Sequence, residues 1–171
     1  MKLGEGSNTD FDRLRRRVLW GLTSGIYVIG SHFQDSYNLM TANLVIQVAV
    51  EPKLVGVAIE RESLTHRLIS ASSCFSICVV RKEQREIIRK FVKPSGALEE
   101  GRLLGGYEVF FGSSGCPILV DCGSYLDLKV VQRLQFESHS FFIGEVEDAG
   151  FPNEQEFEPL KISDTRMHYG G

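Results

Sequence analysis

The run NLMTANLVIQVAVEP, Asn38 to Pro52, constrains the fold more than any other stretch of the chain. At the two-residue period of a strand, Met40, Ala42, Leu44, Ile46, Val48 and Val50 fall on one side, and all are apolar. Leu39, Thr41, Asn43, Val45, Gln47 and Ala49 share the other side. One long strand with a face in a hydrophobic core is expected. Its second face must then set Thr41 and Asn43 against water or against something polar and specific.

A chain of 171 residues that is 43% hydrophobic fits a single domain with a sizeable core, with residues 1–8 expected as a flexible N-terminus. The net charge of -3 and a pI near 5.8 argue against nucleic-acid binding, which needs phosphate-neutralising charge. The one dense basic cluster, Arg13 to Arg17, alternates at helical spacing with Phe11, Leu14, Val18 and Leu22, and reads as a solvated helix face. The start, MKLGEGSNTDFD, has no apolar run after its lysine, and no segment reaches the roughly 20 apolar residues of a membrane span, so a cytoplasmic protein is expected. Cys74, Cys78, Cys116 and Cys122 form no CxxC pair and read as buried free thiols.

Residues 8 to 22 have the pattern of an amphipathic helix, with Asn8, Thr9 or Asp10 as cap and Gly25 shortly beyond its end. A strand follows in GIYVIGSHF, then a loop of several residues at QDSYN, then the long strand already quoted. KLVGVAI is a third strand, a helix starts at Ser63, and FSICVV returns to strand. KEQREIIRKFV reads as a charged helix stopped by Pro94. The glycine-rich stretch 94 to 116 reads as a long loop holding one short strand near Val109 to Phe111. Gly123 to Gln135 and His139 to Ala149 are two further strands, and the tail PLKISDTRMHYGG has room for a last short one. The expectation is a mainly β fold with flanking helices. Its six or seven antiparallel strands close most economically as a barrel.

Chemistry-bearing patterns are few. In IERESLTHRLI, Ser63 is placed to cap a helix, leaving the N–H groups of Leu64, Thr65 and His66 at its positive end with Arg61 nearby. An anion site and an ordinary capped helix both fit these residues, and Glu60 and Glu62 weigh against the first. His139 opens a strand after a polar turn, where an imidazole can meet a ligand. His32, His66, His139 and His168 show no metal-ligand spacing with one another or with the cysteines, so no metal is expected. There is no GxGxxG, GxxxxGK[ST] or GxSxG, and chemistry, if present, rests on a bound cofactor.

In order and character these segments resemble the flavin reductase-like, FMN-binding split-barrel family over about residues 11 to 163. Thr23-Ser24-Gly25-Ile26 is similar to the family's turn after its first helix, and Leu39-Met40-Thr41-Ala42-Asn43 to its Gly-Met-Thr-Ala-Ser segment. Ser63-Leu64-Thr65 matches a Ser-x-Thr motif. The strand from Cys74-Phe75, the helix from Gln84 to Phe91-Val92 and Gly115-Cys116-Pro117-Ile118-Leu119 follow in the family's order. Ser138-His139 through Gly144-Glu145-Val146 matches its Asp-His…Gly-x-Val signature. No one of these is specific, but seven in order at compatible spacing are.

The resemblance implies an antiparallel split β-barrel that binds FMN, with FAD as the alternative. It places Leu39, Met40, Thr41, Ala42 and Asn43 along the flavin ring, with Ile59 and Phe91 also at the cofactor. It places Arg61, Ser63, Thr65 and His66 at the phosphate, and His139 at the nicotinamide as the catalytic histidine. It further implies NAD(P)H as co-substrate, a homodimer, and a monooxygenase or other electron acceptor, with neither nucleic acid nor membrane as partner. Three positions depart from the family: Leu39 replaces a glycine and adds a side chain near the ring, Cys78 replaces a strand asparagine, and Glu137-Ser138 replaces Gly-Asp. The expected activity is NAD(P)H:flavin oxidoreduction. The rival readings are a flavin-carrying electron-transfer or sensor protein that does not oxidise NAD(P)H, and a split barrel that binds haem or nothing.

Overall fold

The computed structural model describes residues 8–153 and 156–165. Helix α1 (Asn8–Leu19) leads into β1 (Tyr27–Phe33), β2 (Ser36–Ala42), β3 (Val45–Ala49) and β4 (Leu54–Glu60). Helix α2 (Leu64–Ser72), β5 (Cys74–Val79) and the one-turn α3 (Ile87–Lys90) follow. Then come the short β6 (Leu98–Glu99), β7 (Leu103–Leu104), β8 (Tyr107–Phe111) and β9 (Pro117–Leu119), and the two long strands β10 (Ser124–Gln135) and β11 (His139–Gly150).

Seven strands form an antiparallel sheet in the order β2-β1-β5-β10-β11-β4-β3, and β6 to β9 form a smaller one. The two edge strands of the large sheet, β2 and β3, are consecutive in the chain, joined only through Asn43 and Leu44. The sheet therefore curls until its edges meet at one point and part from there, which is a split barrel. No helix among the described residues is long and apolar enough to cross a membrane.

Side-chain alternation along β1 and β5 builds two cores. Ile29, Phe75 and Ile77 point inward with Val57, Ile59, Leu128, Phe142 and the α2 residue Ile69. Val28 and Cys78, one residue out of phase, point outward against α3, the small sheet and Leu39. These central strands are covered on both faces, which explains their nearly unbroken apolar runs. Each fully buried large side chain contributes about 1.5–3 kcal/mol of transfer free energy. Gly30 marks the closest approach of the two layers, since a Cβ there would lie 2.0 Å from the Pro117 carbonyl oxygen and 2.2 Å from Ser76 Oγ.

Four expectations change. The long strand breaks at Asn43–Leu44, and its apolar side does not stay in the core: Met40 and Ala42 pack inward, whereas Leu44, Ile46, Val48 and Val50 are 47%, 61%, 41% and 73% exposed. The break turns β3 over at the sheet edge, where it pairs with β4 alone. The β1–β2 loop is only Gln34–Asp35, tightened by a positive φ of 51° at Gln34. The charged helix shrinks to α3, because the buried Gln84 side chain accepts from Arg81 N and donates to Asp121 O, holding the preceding residues in turns. The long loop carries three short strands, not one, and a fourth, β9, begins directly after it. The tail contributes two isolated bridges, Gly25 with Lys161 and Arg81 with Pro159, and a 3₁₀ turn over Ile162–Asp164. Residues 1–7 and 166–171 lie outside the described residues.

Candidate functional site

A cleft of about 440 Å³ opens where β2 and β3 part. One wall is the chain from Met40 to Leu44, and the opposite side is Ala58 and Glu60 of β4 with His139 of β11. Phe91 and Val92, just past α3, line it as well, and Ser63 stands at one end. His139 and Glu60 are register partners across β11 and β4, so one imidazole and one carboxylate share the rim.

Thr41 does specific structural work. Its hydroxyl donates toward the carbonyls of Ile88 at 3.1 Å and Ile87 at 3.4 Å, and its N–H donates to Phe91 O at 3.1 Å. A one-turn helix leaves its last carbonyls without partners, and Thr41 supplies them. The polar face of β2 thus holds α3 and the ring of Phe91 against the cleft. Asn43 is buried, with its amide nitrogen 3.5 Å from Ser24 Oγ.

Ser63 caps α2 as its sequence position suggests. Its hydroxyl accepts from His66 N at 3.1 Å and donates to Glu60 O at 2.7 Å. The first-turn N–H groups of α2 carry the partial positive charge of the helix beside Ser63, which lines the cleft.

Of the residues expected at a cofactor, Met40, Thr41, Ala42, Asn43, Ser63, Phe91 and His139 line the cleft together. Four do not. Leu39 and Ile59 are wholly buried, in the outer and inner cores respectively. Thr65 is also fully buried, its hydroxyl accepting from Asn38 Nδ2 at 2.9 Å. His66 packs inward with Nε2 2.9 Å from Ser140 Oγ and 3.2 Å from Arg133 Nη2. Burial first, and the nearby Arg133 and Arg61 charges next, hold the His66 imidazole below its ordinary pKa and keep it neutral. Since an arginine only donates, Nε2 of His66 is its acceptor. Arg61 turns away from the cleft, donating to the Glu137 carbonyl at 3.1 Å and bracing the β10–β11 turn. What Thr65 offers at the helix end is its backbone N–H, that of His66 being taken by Ser63 Oγ, a distinction invisible in a list of residue types.

Beside the cleft and sharing Asn43, Leu44 and Ala58 with it lies a second hollow of about 460 Å³, lined also by Leu19, Leu22, Ile46 and Phe141. Sequence reasoning missed it, having assigned Leu44 and Ile46 to the core. It missed a second convergence too: His32, Cys74 and Cys116, drawn from three separate segments, meet with their ligand atoms all within 4.8 Å of one another.

The flavin reductase like domain matches residues 19–171. The chain belongs to the flavin reductase like family. Among curated relatives in this family it is 33% identical over 135 residues to the high molecular weight rubredoxin of Moorella thermoacetica, an alignment covering 78% of this chain and 58% of that protein. It is 27% identical over 135 residues to the ferric-chelate reductase (NAD(P)H) of Archaeoglobus fulgidus, covering 77% and 78% of the two chains. The fold agrees with that of the NADH:FAD oxidoreductase of Streptomyces globisporus C-1027, solved in complex with NAD and FAD fragments. That match has a TM-score of 0.77 at 22% identity and covers 100% of this chain and 98% of the other. The seven-stranded open sheet is thus the flavin reductase-type split barrel.

Two departures from the family pattern lose their force on this geometry. Leu39 fills the outer core and adds nothing to the cleft, and Cys78 is buried there as well, accepting from Leu119 N at 3.3 Å. At the third, Ser138 Oγ stands 2.9 Å from His139 Nδ1 and so orients the histidine from the next residue.

Proposed function

We propose that the chain is an NAD(P)H:flavin oxidoreductase that holds FMN in the cleft between β2 and β3. The observation that carries this is the convergence, at one seam, of the 40–44 segment, the capped N-terminus of α2 and His139. At about 440 Å³ the cleft falls inside the roughly 300–1,000 Å³ of cofactor sites, and its walls are mostly apolar with a few polar groups, which suits a flat aromatic ring. Met40, Ala42 and Phe91 would bear on the ring, and the backbone around Thr41 and Asn43 would reach its polar edge. Ser63 and the first amides of α2 would hold the phosphate.

Bound flavin supplies the redox chemistry, accepting a hydride from nicotinamide and passing electrons onward to a monooxygenase or another acceptor. The protein's part is positioning. Phe91 and Val92 exclude water from one side, Thr41 fixes where they stand, and His139, steadied by Ser138, orients the nicotinamide.

A second copy of the chain would cover the apolar strip of β3 together with Leu19 and Leu22 beside the cleft. A homodimer is therefore part of this reading, supported by exposed Ile46 and Val48 on one edge strand and Leu44 and Val50 flanking it. A second reading, in which electrons come from another protein or domain, draws on the fact that the chain spans only 58% of the rubredoxin relative.

Anaerobic titration of FMN-loaded protein with NADH and then NADPH separates the two. Bleaching of the oxidised flavin band at a catalytic rate is the expected result, slowed in His139→Ala with FMN still bound. Bound FMN that stays oxidised would move the function to the second reading.

A further inference from the structure

Far along β1 from the cleft, a cluster has the form of a metal site. Cys74 Sγ lies 3.6 Å from His32 Nε2 and 3.6 Å from Cys116 Sγ. Around a tetrahedral ion with bonds of about 2.3 Å to sulfur and about 2.0–2.1 Å to nitrogen, the edges are about 3.8 Å between sulfurs and about 3.6 Å from sulfur to nitrogen. Both distances from Cys74 are already close to those edges, and the His32 and Cys116 ligand atoms lie within 4.8 Å of each other. A disulfide would instead require the two sulfurs to close to about 2.05 Å.

The surroundings are built for the same purpose. Gly115 has a φ of 83°, and a Cβ there would lie 2.9 Å from His32 Nε2, so the glycine leaves the ring nitrogen accessible. The Ser114 carbonyl oxygen accepts from that nitrogen at 2.8 Å and from Cys74 Sγ at 3.7 Å, so a cation bound here takes the place of the two protons directed at it. The loop carrying Ser114 and Cys116 is pinned by the fully buried Asp127 carboxylate, which accepts from Ser113 Oγ, Ser114 N and Ser114 Oγ. Cys116 is fully buried, Cys74 nearly so, and His32 half-buried, which leaves an entry path along the imidazole.

We infer that His32, Cys74 and Cys116 bind a zinc-class cation, with the Ser114 carbonyl or a water as the fourth ligand. Two thiolates balance the charge of a divalent ion, so the buried site is neutral overall. Two sulfurs and an imidazole select a borderline-soft ion over Mg²⁺ or Ca²⁺. The ion ties the end of β1, the start of β5 and the loop before β9 into one unit. Its role is structural, because none of its ligands lines the flavin cleft.

The test is a titration of reduced, chelator-stripped protein with Co²⁺, followed by displacement with Zn²⁺ against a chromophoric chelator. One equivalent of Co²⁺ should give thiolate-to-metal charge-transfer absorption and the intense visible bands of a tetrahedral ion, and Zn²⁺ should abolish them. Cys74→Ser, Cys116→Ala and His32→Ala should each weaken Zn²⁺ binding by more than the about 10–100-fold that loss of an outer partner costs, whereas Cys122→Ala should leave it unchanged. Thermal unfolding of each variant without metal shows whether it is folded. No cobalt–thiolate band in wild-type protein whose thiols are all reduced would overturn the site, as would a band that survives in folded Cys74→Ser/Cys116→Ala protein.

Discussion

Thr41→Val isolates the link between the polar face of β2 and the cleft. The substitution keeps the shape and removes one hydroxyl, whose proton is shared between the Ile88 and Ile87 carbonyls at 3.1 and 3.4 Å. A net hydrogen bond contributes about 0.5–1.5 kcal/mol, and the side chains of Ile87 and Ile88 are buried, so water replaces the lost partner poorly and the upper end applies. A cost of about 1.5 kcal/mol lowers Tm by roughly 3–6 °C in a domain of this size. Flavin affinity should fall as well, because Phe91 and Val92 sit directly after the helix that Thr41 holds. Thermal unfolding without flavin and fluorescence titration with FMN read the two effects separately. Thr41→Ser, which keeps the hydroxyl, should resemble wild type in both. An unchanged Tm and unchanged FMN affinity in Thr41→Val would refute the claim that this side chain positions the cleft wall.

Three further outcomes follow from the same geometry. Gly30→Ala places a methyl group 2.0 Å from the Pro117 carbonyl oxygen and should destabilise the fold by about 3 kcal/mol or more, read by denaturant unfolding; a loss under 1 kcal/mol would mean that the two layers part easily. His66 has a folded pKa below its ordinary 6.5, so its neutral form contributes stability that is complete above that pH and is lost as pH falls through the folded value. His66→Gln should flatten this acid limb of the stability curve, and an identical limb would assign it to other groups. Ile46→Lys charges the exposed face of β3 and should convert the proposed dimer to a monomer in analytical ultracentrifugation; wild-type protein that is already monomeric would remove the dimer from the account.

The fold was legible where one residue pattern had one structural meaning. Strict alternation or continuous apolar runs marked β1, β4, β5, β10 and β11, because burial on one or both faces leaves that imprint. The break at Asn43–Leu44 was not legible. Every residue there is compatible with a strand, and only the parting of the sheet decides that Met40 faces in and Ile46 faces out. α3 failed for a related reason: a helical sequence yielded to two hydrogen bonds of the Gln84 side chain, one local from Arg81 N and one tertiary to Asp121 O. At the candidate site, the sequence pointed to a cap at Ser63 and an imidazole at His139. It could not tell that Thr65 and His66 turn their side chains inward, since a helix N-terminus offers backbone whatever residues follow the cap. His32 and Cys74, and Cys74 and Cys116, are 42 residues apart, and only the pairing of β1 with β5 and the packing of β9 on both bring the three together.

Ala58 lies in β4 where the seam cleft and the neighbouring hollow meet, which makes it the point at which the central claim is most directly tested. The measurement is FMN affinity by fluorescence quenching in wild type and in Ala58→Trp, whose indole would occupy the cleft, with folding checked by circular dichroism. Tight binding by wild type and a loss of at least about 100-fold in the variant, equivalent to about 2.7 kcal/mol, is the predicted result. Equal affinity in a folded Ala58→Trp protein would place the flavin elsewhere and contradict the account.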